Sequence, residues 1–126
     1  MKATGYLEVI AGPMFSGKTE ELIRRLKRAA IGKKKVQVFK HKIDARYGLD
    51  KKLFSHNGMS FDSEIIEKSD EILKRLDKKT EIVGIDEAQW FGDELLPVIQ
   101  ILLEHRKKTI VSGLAMGIDG LAHRAA

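Results

Sequence analysis

The sequence predicts an α/β fold, a parallel sheet flanked by helices, on three observations. A glycine-rich loop sits between a strand and a helix, a second strand follows one helix later, and an apolar run further on ends in two acids. The loop is Gly12-Pro13-Met14-Phe15-Ser16-Gly17-Lys18-Thr19. A glycine, four free positions, then glycine, lysine and threonine is the spacing that turns successive backbone N–H groups inward on a phosphate. Lys18 then reaches the β/γ oxygens and the Thr19 hydroxyl reaches Mg²⁺, so the loop points to a nucleoside triphosphate with Mg²⁺. By average composition the four fixed positions match by accident on the order of once in a few hundred chains of this length. The flanking strand and helix sharpen the signal, because the loop and the positive end of the helix dipole must meet at the phosphate.

Each element has its own justification. Residues 6–11 are mostly apolar and read as the first strand. From Glu20 onward, Leu22, Ile23, Leu26, Ala29 and Ala30 fall on one helical stripe, with Arg24, Arg25, Lys27 and Arg28 facing outward. Gly32 is placed to end that helix as its C′ residue, and residues 36–39 form the second strand. This βαβ unit calls for a right-handed crossover, which puts both strands in one parallel sheet with the glycine loop at a carboxyl edge.

Residues 40–58 are polar and aperiodic and read as an exposed loop, with a short extended piece at Leu53-Phe54-Ser55. Residues 61–66 read as a short strand, although Ile65-Ile66 equally suits a helix start. Ser69 is placed as the N-cap of a helix through Ile72, Leu73 and Leu76, with Asp70 and Glu71 in its first turn. Residues 81–87, Glu-Ile-Val-Gly-Ile-Asp-Glu, have the look of a buried central strand emerging at its carboxyl edge. In a phosphate-loop protein the first acid, Asp86, is expected to hold Mg²⁺ near the Thr19 hydroxyl. Asp93 precedes a helix over residues 95–103 that tolerates Pro97 in its first turn and is apolar on more than one face. Such a helix is either sandwiched or covered by another subunit. Residues 109–114 read as a last parallel strand, and residues 115–126 carry no assignment.

Bulk properties narrow the classes. A chain of 126 residues, 33% charged and 43% apolar, fits one domain with a modest core. With no cysteine, disulfides and thiolate-bound zinc or iron–sulfur clusters are excluded. No apolar run approaches the roughly 20 residues of a membrane span and no secretory signal opens the sequence, so a cytoplasmic protein without membrane contact is expected. The formal charge of +5 raises a nucleic-acid hypothesis. Its cations lie on the outward helix face and in turns at residues 33–35 and 78–79, and there is no aromatic stacking platform, which favours solvated faces over a nucleic-acid partner. His41, His56, His105 and His123 have no metal-ligand spacing.

Together, residues 12–19, then Phe39-Lys40-His41-Lys42-Ile43-Asp44-Ala45-Arg46-Tyr47, Ser55-His56-Asn57-Gly58, Ile85-Asp86-Glu87-Ala88-Gln89-Trp90-Phe91 and Ser112-Gly113-Leu114 resemble the thymidine kinase family of the RecA-like phosphate-loop (P-loop) class. The resemblance runs from about Tyr6 to Leu114, so residues 1–114 are expected to form the ATP-binding kinase domain. It implies transfer of the ATP γ-phosphoryl group to the 5′-hydroxyl of thymidine or deoxyuridine. Glu87 is the matching catalytic base, Lys18 and Arg46 are matched to stabilisation of the transferring group, and Gln89, beside Ala88, lies close to the nucleotide. Met14 and Phe15 match a pocket lining. The resemblance also implies a homotetramer. Beyond Leu114 the family pattern gives way to Ala115-Met116-Gly117-Ile118-Asp119-Gly120, and the family's zinc-bearing lobe is expected to be missing. Loss of that enclosure keeps open an ATP-binding module without efficient transfer, and the positive charge keeps open a basic phosphate-loop ATPase acting on nucleic acid.

Overall fold

The computed structural model describes residues 5–12, 17–42, 52–54 and 60–115. Its main sheet has five parallel strands in the order β1-β7-β6-β2-β5. These are β1 (Tyr6–Gly12), β2 (Val36–His41), β5 (Glu64–Ile66), β6 (Ile82–Asp86) and β7 (Thr109–Ala115). A two-stranded antiparallel hairpin, β3 (Lys52–Phe54) with β4 (Ser60–Asp62), stands apart from it. β1 and β2 share the parallel sheet as expected, with β7 and β6 between them.

Alternation along the strands divides the core between two faces. On one, Leu22, Ile23 and Leu26 of α1 (Lys18–Ile31) pack on Val38, Ile82 and Val111. Full burial of each such side chain contributes about 1.5–3 kcal/mol. Gly84 sets how closely α1 approaches, since a Cβ there would lie 3.1 Å from Leu26 Cδ1 and 3.2 Å from Val38 Cγ2. On the other face, Ile72 of α2 (Glu71–Arg75) and Leu95, Val98 and Leu102 of α3 (Leu95–Glu104) pack on Phe39, Val83, Ile85 and Ile110. Among the described residues no helix is long and apolar enough to cross a membrane.

Several local expectations are corrected. β2 continues through Lys40 and His41, both buried, where polarity had suggested a loop; pairing with β6 on one side and β5 on the other keeps the backbone extended. Residues 61–66 divide at Ser63 between β4 and β5, which belong to different sheets. Ser69 caps nothing: its hydroxyl donates to Glu94 O at 3.0 Å, and the helix after it is only Glu71–Arg75. α1 ends with Lys33, not Gly32, in the left-handed region (φ 66°), closed by Lys33 N–H to Ala30 O and Lys34 N–H to Ala29 O. Ala30 turns outward, off the apolar stripe. A 3₁₀ segment, Ala88–Glu94, enters α3 where no regular structure was expected. In agreement with a helix apolar on more than one face, α3 is buried along one stripe while Leu96 stays 59% exposed on another.

One polar residue ties β2 to its neighbours. The Gln37 amide donates to Glu64 Oε2 (2.9 Å) and Arg75 O (3.1 Å), and its oxygen accepts from Asp77 N–H (2.8 Å) and the buried Thr80 hydroxyl. That clamp joins β2, β5, the end of α2 and the entry to β6.

Candidate active site

The carboxyl edge of the main sheet gathers most of the described candidate residues. Gly12 ends β1, and Gly17 precedes α1 with φ 87°, a conformation costing other residues about 1–2 kcal/mol. α1 begins at once with Lys18, only 7% exposed, and half-buried Thr19. Its first intrahelical bond runs from Glu21 N–H to Gly17 O (3.0 Å), so the earlier amides lie at the end of the helix that favours anions.

Asp86 reaches the same edge from β6, the central strand, and is 5% exposed. It faces α1, because Gly84 two residues earlier packs on Leu26. Gly113 of β7 lies next to it: a Cβ there would sit 3.4 Å from Asp86 Oδ1 and 3.9 Å from Leu22 Cδ2. Absence of that methyl leaves room in front of the carboxylate. A carboxylate and a hydroxyl oxygen beside a phosphate-binding helix end are hard donors of the kind Mg²⁺ takes, together with phosphate oxygens and water. Among the described residues no three His, Cys, Asp or Glu side chains gather into a metal cage.

Glu87 turns the chain out of the sheet in the left-handed region, φ 49° and ψ 54°. The Gln89 side-chain amide donates to its carboxylate, and Trp90 N–H donates to its backbone oxygen at 3.1 Å. Ala88 and Phe91 are buried beneath this turn. The structure thus brings together Gly12, Gly17, Lys18, Thr19, Asp86, Glu87, Ala88 and Gln89 at one edge; Pro13, Met14, Phe15, Ser16, Asp44 and Arg46 lie outside the described residues.

Sequence reasoning gave no role to Gly113, or to Lys40 and His41, which reach this edge on β2. The signal for Gly113 was its small size at the end of a predicted strand. For the other two it was their continuity with residues 36–39. Away from the edge, cations of α1 are engaged with acids: Arg24 with Glu20 and Glu21, Arg25 with Glu21 and Glu8. The Arg25 guanidinium, then that of Arg24, holds the Glu21 carboxyl below its ordinary range.

A parallel sheet with a glycine before the first helix, a buried lysine at that helix start and an acid ending the central strand fits the phosphate-loop α/β class. The thymidine kinase family model matches residues 5–122, and the chain belongs to that family. It is also 51% identical over 116 residues to the thymidine kinase of Coprothermobacter proteolyticus, an alignment covering 92% of this chain and 58% of that relative's length.

Proposed function

We propose that this chain transfers the γ-phosphoryl group of ATP to the 5′-hydroxyl of thymidine or deoxyuridine. The observation that carries the reading is the Asp86-Glu87 pair at the end of β6: Asp86 faces α1, while the left-handed turn at Glu87 leads its carboxylate away to meet Gln89. Consecutive carboxylates sent to different sides suit two tasks, one on the phosphate side and one toward an acceptor.

In this reading the amides of residues 12–19 and the Lys18 ammonium bind the phosphates, and Thr19 and Asp86 hold Mg²⁺. The ion, when bound, offsets charge on the β- and γ-oxygens. Glu87 takes the proton of the nucleoside hydroxyl as its oxygen bonds to the γ-phosphorus and the bond to the β–γ bridging oxygen breaks, releasing ADP. Gln89 holds the Glu87 carboxylate in place, and Ala88 supports the turn beneath. Lys18, with Arg46 by its family match, balances charge on the transferring group. By the family resemblance Met14 and Phe15 are matched to a pocket for the base or sugar, and Pro13 and Ser16 belong to the phosphate-binding motif.

The exposed apolar side chains Leu7, Val9 and Leu96 support a homo-oligomer, a tetramer by family resemblance, and a kinase of this kind works in the cytoplasm. Ion pairing along α1 favours solvated faces over a nucleic-acid surface. Labelled ATP, Mg²⁺ and thymidine incubated with the purified chain should yield thymidine monophosphate. ATP binding without that product would instead identify a nucleotide-binding module. Steeply salt-dependent DNA binding would favour an ATPase acting on nucleic acid.

A further inference from the structure

Lys40 is a charged residue in a place that ordinarily takes an apolar one. It follows fully buried Phe39, is itself 6% exposed, and lies in β2, flanked by β6 and β5. Lysine is rarely buried to this degree, because taking an ammonium out of water costs several kcal/mol without a compensating anion.

Its register places Lys40 directly opposite Asp86. Paired residues on neighbouring strands share a face, and here that face is α1's: Val38, two residues before Lys40, packs with Leu22, Ile23 and Leu26. Adjacent strands lie about 4.8 Å apart, within reach of a lysine's four methylenes. Lys40, Asp86 and Lys18 are therefore three buried charges on one side of the sheet at one edge.

We propose that Lys40 is a positioning residue of the phosphoryl-transfer site, holding the Asp86 carboxylate in the orientation that receives the Mg²⁺ of bound ATP. This rests on the kinase reading above. An ammonium on the β2 side of Asp86 directs the carboxylate's remaining lone pairs toward Gly113 and the start of α1. There, room has been left in front of Oδ1. Lys40 touches neither substrate nor nucleotide in this arrangement and acts through Asp86.

The test uses the full chain, Lys40→Met and Lys40→Arg variants, and calorimetric ATP titrations in Mg²⁺ and in EDTA. Lys40→Met should lose about tenfold or more of the Mg²⁺-dependent gain in ATP affinity, as removing an outer partner of a metal ligand does. Its affinity in EDTA should stay near the parent's, and Lys40→Arg should recover most of the loss. In an Asp86→Asn background the Lys40→Met change should have no further effect. Unaltered Mg²⁺ dependence overturns the proposal. So does an equal loss with and without Mg²⁺, which would put the ammonium on the phosphates, and so does failure of both variants to fold, which would make Lys40 a structural cation. A parent chain that binds no ATP overturns the kinase reading and this inference together. A parent that binds and transfers, beside Lys40 variants that behave like it, overturns this inference alone.

Discussion

His41 of β2 meets Phe91 of the 3₁₀ segment edge to face, ring centroids 4.9 Å apart at 67°. The contact joins the strand bearing Lys40 to the turn that follows Glu87. Phe91 also belongs to the buried cluster with Phe39, Ile85 and Leu95. Phe91→Ala should therefore cost about 3–5 kcal/mol in urea unfolding. Phe91→Leu should cost clearly less, which separates lost volume from lost ring geometry.

Glu87→Gln keeps the shape of the side chain and removes its capacity to take a proton. Transfer to thymidine should fall about a hundredfold or more while ATP affinity is unchanged. Initial rates and an ATP titration on the same preparation check both halves, and an undiminished rate would remove Glu87 as the base.

Gln37→Leu would take the acceptor from Asp77 N–H and from the fully buried Thr80 hydroxyl together. A loss of about 1–3 kcal/mol is expected. The additional change Thr80→Val should return part of it by removing the stranded donor.

Lys33 occupies the left-handed position that closes α1. Lys33→Gly should raise stability by about 1 kcal/mol, because glycine meets no Cβ penalty there. Thermal unfolding reads this directly, and Gly32→Ala, at φ −75°, should show no comparable backbone penalty.

Glu71 accepts hydrogen bonds from the amides of Lys68 (2.9 Å) and Glu67 (3.0 Å), which hold its carboxyl below the usual glutamate range. A depressed carboxyl contributes stability that is fully present above the unfolded value of about 4.3 and is lost as pH falls through it toward the folded value. Urea unfolding between pH 6 and 3 should show a steeper decline for the parent than for Glu71→Gln.

Local pattern carried much of the fold. An uninterrupted Ile-Val-Gly-Ile run needs burial on both faces, and β6 received it; the glycine turn and the stripe of Leu22, Ile23 and Leu26 placed β1 and α1 in sequence. What local pattern missed depends on partners distant in the chain. Lys40 looks like a loop residue until Asp86, 46 positions later by number, is set opposite it. Ser69 looks like a cap until Glu94 O is brought within 3.0 Å. The 3₁₀ segment was hidden because Gly92, at φ 67°, interrupts it before α3. Strand order was beyond reach for the same reason, since β7 inserts between β1 and β6 only after the whole chain is placed.

β6 is paired on both sides, by β2 and β7, and all five of its residues are buried. Strands of that kind open only when the whole molecule does, so their amides exchange with deuterium last. Asp86 ends that strand, so its amide is expected among the slow exchangers of the described residues. Heat or denaturant that disturbs its position should therefore do so only as the surrounding core melts.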